Sequence, residues 1–160
     1  MPARPVDPDE LGKLLNQHFA ALTLYARQWS AASEDIVQEA FIQLARQPQA
    51  PDHTAAWLYR VVRNRAIAIA RSETRRRRHE QAAGQSTAPW FVPDPANKID
   101  GDRAARALGA LPLDEREVIV AHLWGGLTFA ELAEVTGLSS STAHRRYETG
   151  LRRLREQLGE

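Results

Sequence analysis

Arginine is the residue type in this sequence best placed to do chemistry. Of the 21 basic residues, 19 are Arg, leaving only Lys13 and Lys98. A guanidinium offers a rigid fork of donors that fits phosphates and base edges in a bidentate way, which an ammonium does not. The arginines are also unevenly placed. Between Trp57 and His79 eight Arg stand against one acid, Glu73, a local charge of +7. Between Arg145 and Arg155 five Arg stand against one acid, Glu148, a local charge of +4. The whole 160-residue chain carries only +1, so acid elsewhere balances two basic segments.

At helical spacing the second segment separates into two faces. Ser141, Thr142, Arg145, Arg146, Thr149, Arg152 and Arg153 share one side, while Ala143, Tyr147, Leu151, Leu154 and Leu158 share the other. Such a helix packs through its apolar side and offers donors to phosphates and base edges in a major groove. The first segment behaves in the same way. Arg60, Arg63, Asn64, Arg71, Arg75 and Arg78 form a stripe opposite Leu58, Val61, Val62 and Ile69. Arg65 is predicted to point near the apolar side and Ile67 into the stripe. The run from Arg75 to Arg78 also suits a solvated helix end, where cations favour the dipole. Trp57 and Tyr59 lie beside this stripe, with His53 in the loop before them. Aromatic rings on a basic surface suit unstacked single-stranded bases, and both rings suit a core equally well. A third surface is of the opposite sign: Asp35, Gln38, Glu39 and Gln43 face outward from a helix. They form either a docking face for a basic protein or an ordinary wet surface.

The elements that must position these residues are almost all helical. Leu11, Leu15, Phe19 (or His18), Leu22, Ala26 and Trp29 predict a helix from about Asp9 to Trp29. Ser33 is the expected cap of a second helix, with Glu34 and Asp35 in its first turn and Ile36, Val37, Ala40, Phe41 and Leu44 on its apolar face. After Pro48 and Pro51, a third helix is expected from Asp52 or Thr54 to about Glu80. From Gln81 to Asn97 the periodicity stops, and Pro93-Asp94-Pro95 marks a linker; Trp90 and Phe91 within it are candidates to dock on a domain. Short helices follow: Ile99 to Leu108; Asp114 to Trp124, with Asp114 and Glu117 at capping-box spacing; and Thr128 to Thr136, with Thr128 and Glu131 as a capping box and Gly137 as its stop. A last helix runs to about Leu158. A short capped helix, a Gly-centred turn and a second helix make a helix-turn-helix. The fold class is therefore all-α, with two small helical domains at 8–80 and 99–160 joined by a flexible linker at 81–98.

Other chemistries find little support. With no cysteine, thiolate metal sites, iron–sulfur clusters, disulfides and thiol catalysis are excluded. His18, His53, His79, His122 and His144 include no pair three or four residues apart, so no helical metal site is written in. Gly12-Lys13 lacks the upstream glycine of a phosphate loop, and Gly125-Gly126 suits a helix stop. No metal or cofactor is expected, nor enzymatic activity. Hydrophobic residues at 43% and charged residues at 26% match a globular chain. No apolar run nears the ~18 residues of a membrane helix, and Met1 to Glu10 lacks a signal peptide's apolar core. The expected location is the cytoplasm, without membrane insertion.

Three segments carry a family resemblance. Asp35-Ile36-Val37-Gln38-Glu39-Ala40-Phe41 resembles the "DxVQExF" signature of bacterial extracytoplasmic-function (group 4) sigma factors. Ala56-Trp57-Leu58-Tyr59-Arg60-Val61-Val62-Arg63-Asn64 is similar to their "WLYRIxxN" signature. Leu111-Pro112 through Glu117, and Leu127 to Arg155, resemble their C-terminal helix-turn-helix. The resemblance implies that residues 8–80 form a region 2 bundle. Core RNA polymerase would bind through Asp35, Gln38, Glu39, Phe41 and Gln43. The melted −10 element would be held by His53, Trp57, Arg60, Arg63, Asn64, Arg71, Arg75 and Arg78. Residues 99–160 would form region 4, setting Ser140, Ser141, Thr142, His144, Arg145, Arg146, Thr149, Arg152 and Arg153 against the duplex −35 element. An anti-sigma factor is a further expected partner. The sequence differs from the family where Ala68 replaces a frequent Asp, and where Glu148 stands partly on the DNA side. A stand-alone helix-turn-helix regulator is the competing reading, and a helical adaptor with no nucleic-acid role a third.

Overall fold

The computed structural model describes residues 4–80 and 100–159, which fall into two compact units. The linker expected at 81–98, with Trp90 and Phe91, lies outside the described residues. All regular structure among the described residues is helical.

The N-terminal unit contains α1 (Pro8–Ala26), α2 (Ser33–Arg46) and α3 (Thr54–Glu80). Asp7 caps α1 by accepting from the Asp9 amide, and Pro8 occupies the first turn, where its missing N–H costs nothing. The helix stops at Ala26, three residues before the expected end, and Arg27 to Trp29 form a turn. His18 rather than Phe19 is the more buried of that pair. Ser33 is not the cap of α2. It is the first helical residue and is buried, while Ala32 stands at the cap position without a side-chain acceptor. Ser30 Oγ accepts from the Ala32 amide instead, at 3.1 Å. The core is built from Leu22, Tyr25, Val37, Leu44, Leu58, Tyr59 and Val62, all fully enclosed. Ahead of α1, Val6 is buried and the Arg4 carbonyl accepts from the Ala50 amide, so the N-terminal segment pairs with the loop before α3.

The C-terminal unit contains α4 (Asp100–Gly109), α5 (Leu113–Ile119) followed by one π-helical turn (Val120–Trp124), α6 (Phe129–Thr136) and α7 (Ser140–Leu158). The capping box expected from Asp114 and Glu117 does not form. Pro112 holds the cap position, Asp114 already lies in the first turn, and Glu117 is buried. The π turn is another departure from a plain helix. The Gly125 amide donates to the Val120 carbonyl at 3.1 Å, and Gly126 then turns the chain at φ +69°. The capping box on α6 forms as expected: the Thr128 amide donates to Glu131 Oε1 and the Glu131 amide to Thr128 Oγ1, each at 3.1 Å. Gly137 ends α6 at φ +77°, a conformation that a Cβ would strain. Ser139 then caps α7 by accepting from the Thr142 amide at 3.1 Å. Two side-chain-capped helices around a left-handed glycine fix the helix-turn-helix angle locally.

Candidate nucleic-acid and partner interfaces

On α3 the expected basic stripe is real as a surface. Arg60, Asn64, Arg71, Arg75 and Arg78 are all exposed, and Ala68 is exposed among them, so the small side chain leaves a gap in the row. Arg76 and Arg77 are exposed as well. Four consecutive arginines point around the whole helix, so only part of that run can meet one strand. Arg63 is half-buried, with its guanidinium 5.9 Å from the centre of the Trp29 ring. Arg65 and Ile67 exchange the orientations expected of them. Arg65 is exposed and 3.9 Å from Glu39, and Ile67 is half-buried.

The aromatics beside the stripe divide between surface and core, the two roles the sequence left open. His53 is exposed and its carbonyl accepts from the Trp57 amide at 2.9 Å, closing the first turn of α3. Trp57 is half-buried. Tyr59 is core: it packs edge-on against Tyr25 at 4.9 Å, and Tyr25 packs edge-on against Trp29 at 5.1 Å. Burial pushes the Tyr59 phenol well above its ordinary 10.0. Trp29, which sequence reasoning had counted only as part of α1's apolar face, is a further ring beside the arginines.

On α2, Asp35, Gln38, Glu39 and Gln43 are exposed. Phe41 is not part of this face. At 3% exposure it belongs to the bundle core and supports the face from beneath. An apolar residue that sequence reasoning did not single out shares this face: Ile42, 50% exposed. It follows Asp35 by seven, Gln38 by four and Glu39 by three, so it sits on the polar side of α2. The signal was available: Ile42 lies outside the stripe formed by Ile36, Val37, Ala40, Phe41 and Leu44. A single exposed aliphatic side chain is common on protein surfaces; this one stands at the centre of the polar face.

On α7, Ser140, Ser141, His144, Arg145, Arg152 and Arg153 are exposed, while Thr142, Arg146 and Thr149 are half-buried. The hydroxyls at the helix start are partly engaged, since Ser139 Oγ donates to Thr142 Oγ1 at 2.8 Å. Three of these side chains already have partners. Arg146 lies 3.7 Å from Asp114, Arg153 3.6 Å from Glu115, and His144 3.5 Å from Glu148. Arg145 and Arg152 have no ion pair among the described residues. An aromatic cluster holds α6 to α7. His122 stacks on Phe129 at 4.4 Å and meets Tyr147 edge-on at 4.6 Å, and Phe129 meets His144 at 4.9 Å. His122 Nδ1 lies 2.8 Å from the Leu127 carbonyl, an acceptor, so the proton is on Nδ1. This histidine is structural, which its place in the sequence did not reveal. No cluster of three or more metal-ligating side chains and no helix long and apolar enough to cross a membrane occurs among the described residues.

These surfaces coincide with two known modules. Residues 14–76 match the model of Sigma-70 region 2, and residues 102–154 that of Sigma-70, region 4. The chain is 31% identical over 155 residues to the ECF RNA polymerase sigma factor SigL of Mycobacterium tuberculosis, covering 92% of this chain and 88% of that protein. It is also 31% identical over 147 residues to a probable RNA polymerase sigma factor, RfaY, of Xanthomonas campestris, spanning 86% of this chain but 37% of that longer protein. Its fold is like that of the sigma factor RpoE solved in complex with the anti-sigma factor NepR from Bartonella quintana, with TM-score 0.73, 23% identity, and 94% of this chain and 98% of that one covered. The chain belongs to the ECF-type sigma-70 family of RNA polymerase sigma factors.

Proposed function

We propose that this chain is a promoter-specificity subunit of the group 4 type: it docks on core RNA polymerase, selects a promoter and assists its melting, and the polymerase supplies the catalysis. The observation that carries this reading is the presence of two basic helices in separately folded units, each suited to a different form of DNA. The exposed stripe from Arg60 to Arg78, beside half-buried Trp57 and Trp29, offers phosphate contacts and ring faces to an unstacked strand. The capped α7 offers hydroxyls at its N-terminus and Arg145 and Arg152 along its exposed side to a duplex groove. The α2 face, with Asp35, Gln38 and Glu39 around Ile42, is the reading's polymerase contact. An anti-sigma factor would compete for these surfaces, and the action would take place in the cytoplasm.

The mechanism requires no chemistry from the chain itself. Bases that leave the stack are held by stacking and by the Arg60–Asn64 row, which stabilises the melted state over the duplex. Overexpression followed by transcript sequencing tests the reading. A set of induced transcripts sharing one upstream pair of −10 and −35 elements is the expected result. Tight duplex binding in the absence of polymerase, with no such paired elements, would instead favour a stand-alone regulator.

A further inference from the structure

The five arginines of α7 do not form one surface. Arg146, Gly150 and Arg153 follow one another at spacings of four and three, a single helical stripe. Each of the three meets α5: Arg146 pairs with Asp114, Arg153 pairs with Glu115, and Gly150 lies against Glu115 and Ile119. A Cβ built on Gly150 would stand 2.8 Å from Ile119 Cδ1 and 3.1 Å from Glu115 Cβ, so the missing side chain is what allows the helices to approach. Glu115 is enclosed under this notch. Its side chain is 9% exposed and its Oε2 has no hydrogen-bond partner among the described residues, with the Arg153 guanidinium 3.6 Å away. A carboxylate taken out of water that far requires a compensating charge. Arg145 and Arg152, seven residues apart, lie on a neighbouring stripe that is exposed.

We propose that Glu115 is a positioning residue for the recognition helix and that Arg153 is its counter-ion, with Asp114–Arg146 as a weaker second brace, so that groove contact falls to Arg145, Arg152 and the hydroxyl end of α7. The function of the brace rests on the reading of α7 as the −35 helix. It sets the angle at which that helix is presented, and it removes two arginines from the set that reads DNA. Arg146–Asp114 is long and open to solvent, a geometry that contributes little by itself. Glu115–Arg153 carries the argument because its acid is enclosed.

The test is a mutant cycle on the full chain with two readouts. Thermal unfolding comes first. Arg153→Ala, leaving the acid uncompensated, lowers the midpoint by about 5 °C or more, and adding Glu115→Gln recovers at least half of that loss. Arg153→Lys, which keeps the charge, retains most of the midpoint. The second readout is the salt dependence of promoter binding by the polymerase complex, on a promoter found from the induced transcripts. Arg145→Ala lowers the slope of log affinity against log salt by about one. The doubly substituted Glu115→Gln, Arg153→Gln protein keeps the original slope. Failure of Glu115→Gln to recover stability, or a slope lowered by about one in the double variant, would overturn the proposal. A parent complex that forms on no promoter overturns the functional reading instead, while the stability cycle still decides the brace.

Discussion

The Arg63 guanidinium lies 5.9 Å from the centre of the Trp29 ring, joining the helix that carries the basic stripe to the turn after α1. Arg63 is half-buried beside this ring. At a half-buried site, a cation–π pair contributes about 0.5–2 kcal/mol. Trp29→Leu keeps apolar bulk and removes the ring face. A double-mutant cycle with Arg63→Gln in chemical denaturation is expected to show a coupling energy of that size. Additive losses would mean that Trp29 does not hold Arg63.

Tyr59 gives the unit a pH limit. Its hydroxyl is buried with no hydrogen-bond partner among the described residues, and burial raises its pKa. The unfolded phenol ionises near its ordinary value and the folded one only above it. The stabilisation from keeping Tyr59 neutral is therefore whole below about pH 10 and is lost as pH rises through the folded pKa. Tyr59→Phe removes both the titration and an unsatisfied donor. Stability at neutral pH should stay level or rise by up to about 1 kcal/mol, and the decline above pH 10 should flatten. Urea midpoints across pH 7 to 11 check both. A loss of more than about 1 kcal/mol at pH 7 would show that the hydroxyl has a partner that matters.

Gly150 sets two opposing effects against each other. Alanine gains about 1 kcal/mol of helix propensity over glycine, while overpacking costs about 1–3 kcal/mol. The nearest atom, Ile119 Cδ1 at 2.8 Å, belongs to a fully enclosed side chain, and Glu115 Cβ at 3.1 Å is fixed to the α5 backbone. Relief requires either the enclosed Ile119 to change rotamer or α7 to move, so overpacking is expected to win and Gly150→Ala to destabilise. Ile119→Val removes the offending methyl, and the double variant should lose less than the sum of the two single losses in thermal unfolding.

The α2 face provides the partner test. Asp35→Asn with Glu39→Gln removes two charges, and Ile42→Ala removes the exposed aliphatic side chain. Each should weaken binding of the full chain to core polymerase. The Ile42 change is expected to raise the dissociation rate, and the charge changes to lower the association rate. The Ile42 change should alter the thermal midpoint little, since the side chain is exposed, and the charge changes by a few degrees at most, since they remove only the solvent-exposed Glu39–Arg65 pair and a first-turn acid. Surface plasmon resonance on immobilised core enzyme separates the rates.

Much of this architecture was legible from local chemistry. Ser139, Thr128, Glu131 and Gly137 act within four residues of themselves, so the helix-turn-helix could be read from the chain. The misreadings arose where a tertiary partner decides. Asp114 and Glu117 have capping-box spacing, but Pro112 occupies the cap and packing claims Glu117. Arg146 and Arg153 share the wheel's basic side with Arg145 and Arg152, and only the approach of α5 at Gly150 separates them. Phe41 sits inside a recognisable motif but serves the core, whereas Ile42, next to it, meets solvent. Trp29 gained its place beside Arg63 because α1 ends early, which no periodicity in the sequence signals.

Run-off transcription by core polymerase with and without the full chain tests the central claim most directly, on a template carrying the −10 and −35 elements shared by induced transcripts. The account predicts a transcript of defined start that depends on the chain, and that falls at least tenfold when Asp35→Asn, Glu39→Gln and Ile42→Ala are combined. Transcription that is indifferent to the chain, on templates the chain nonetheless binds as duplex, would contradict it.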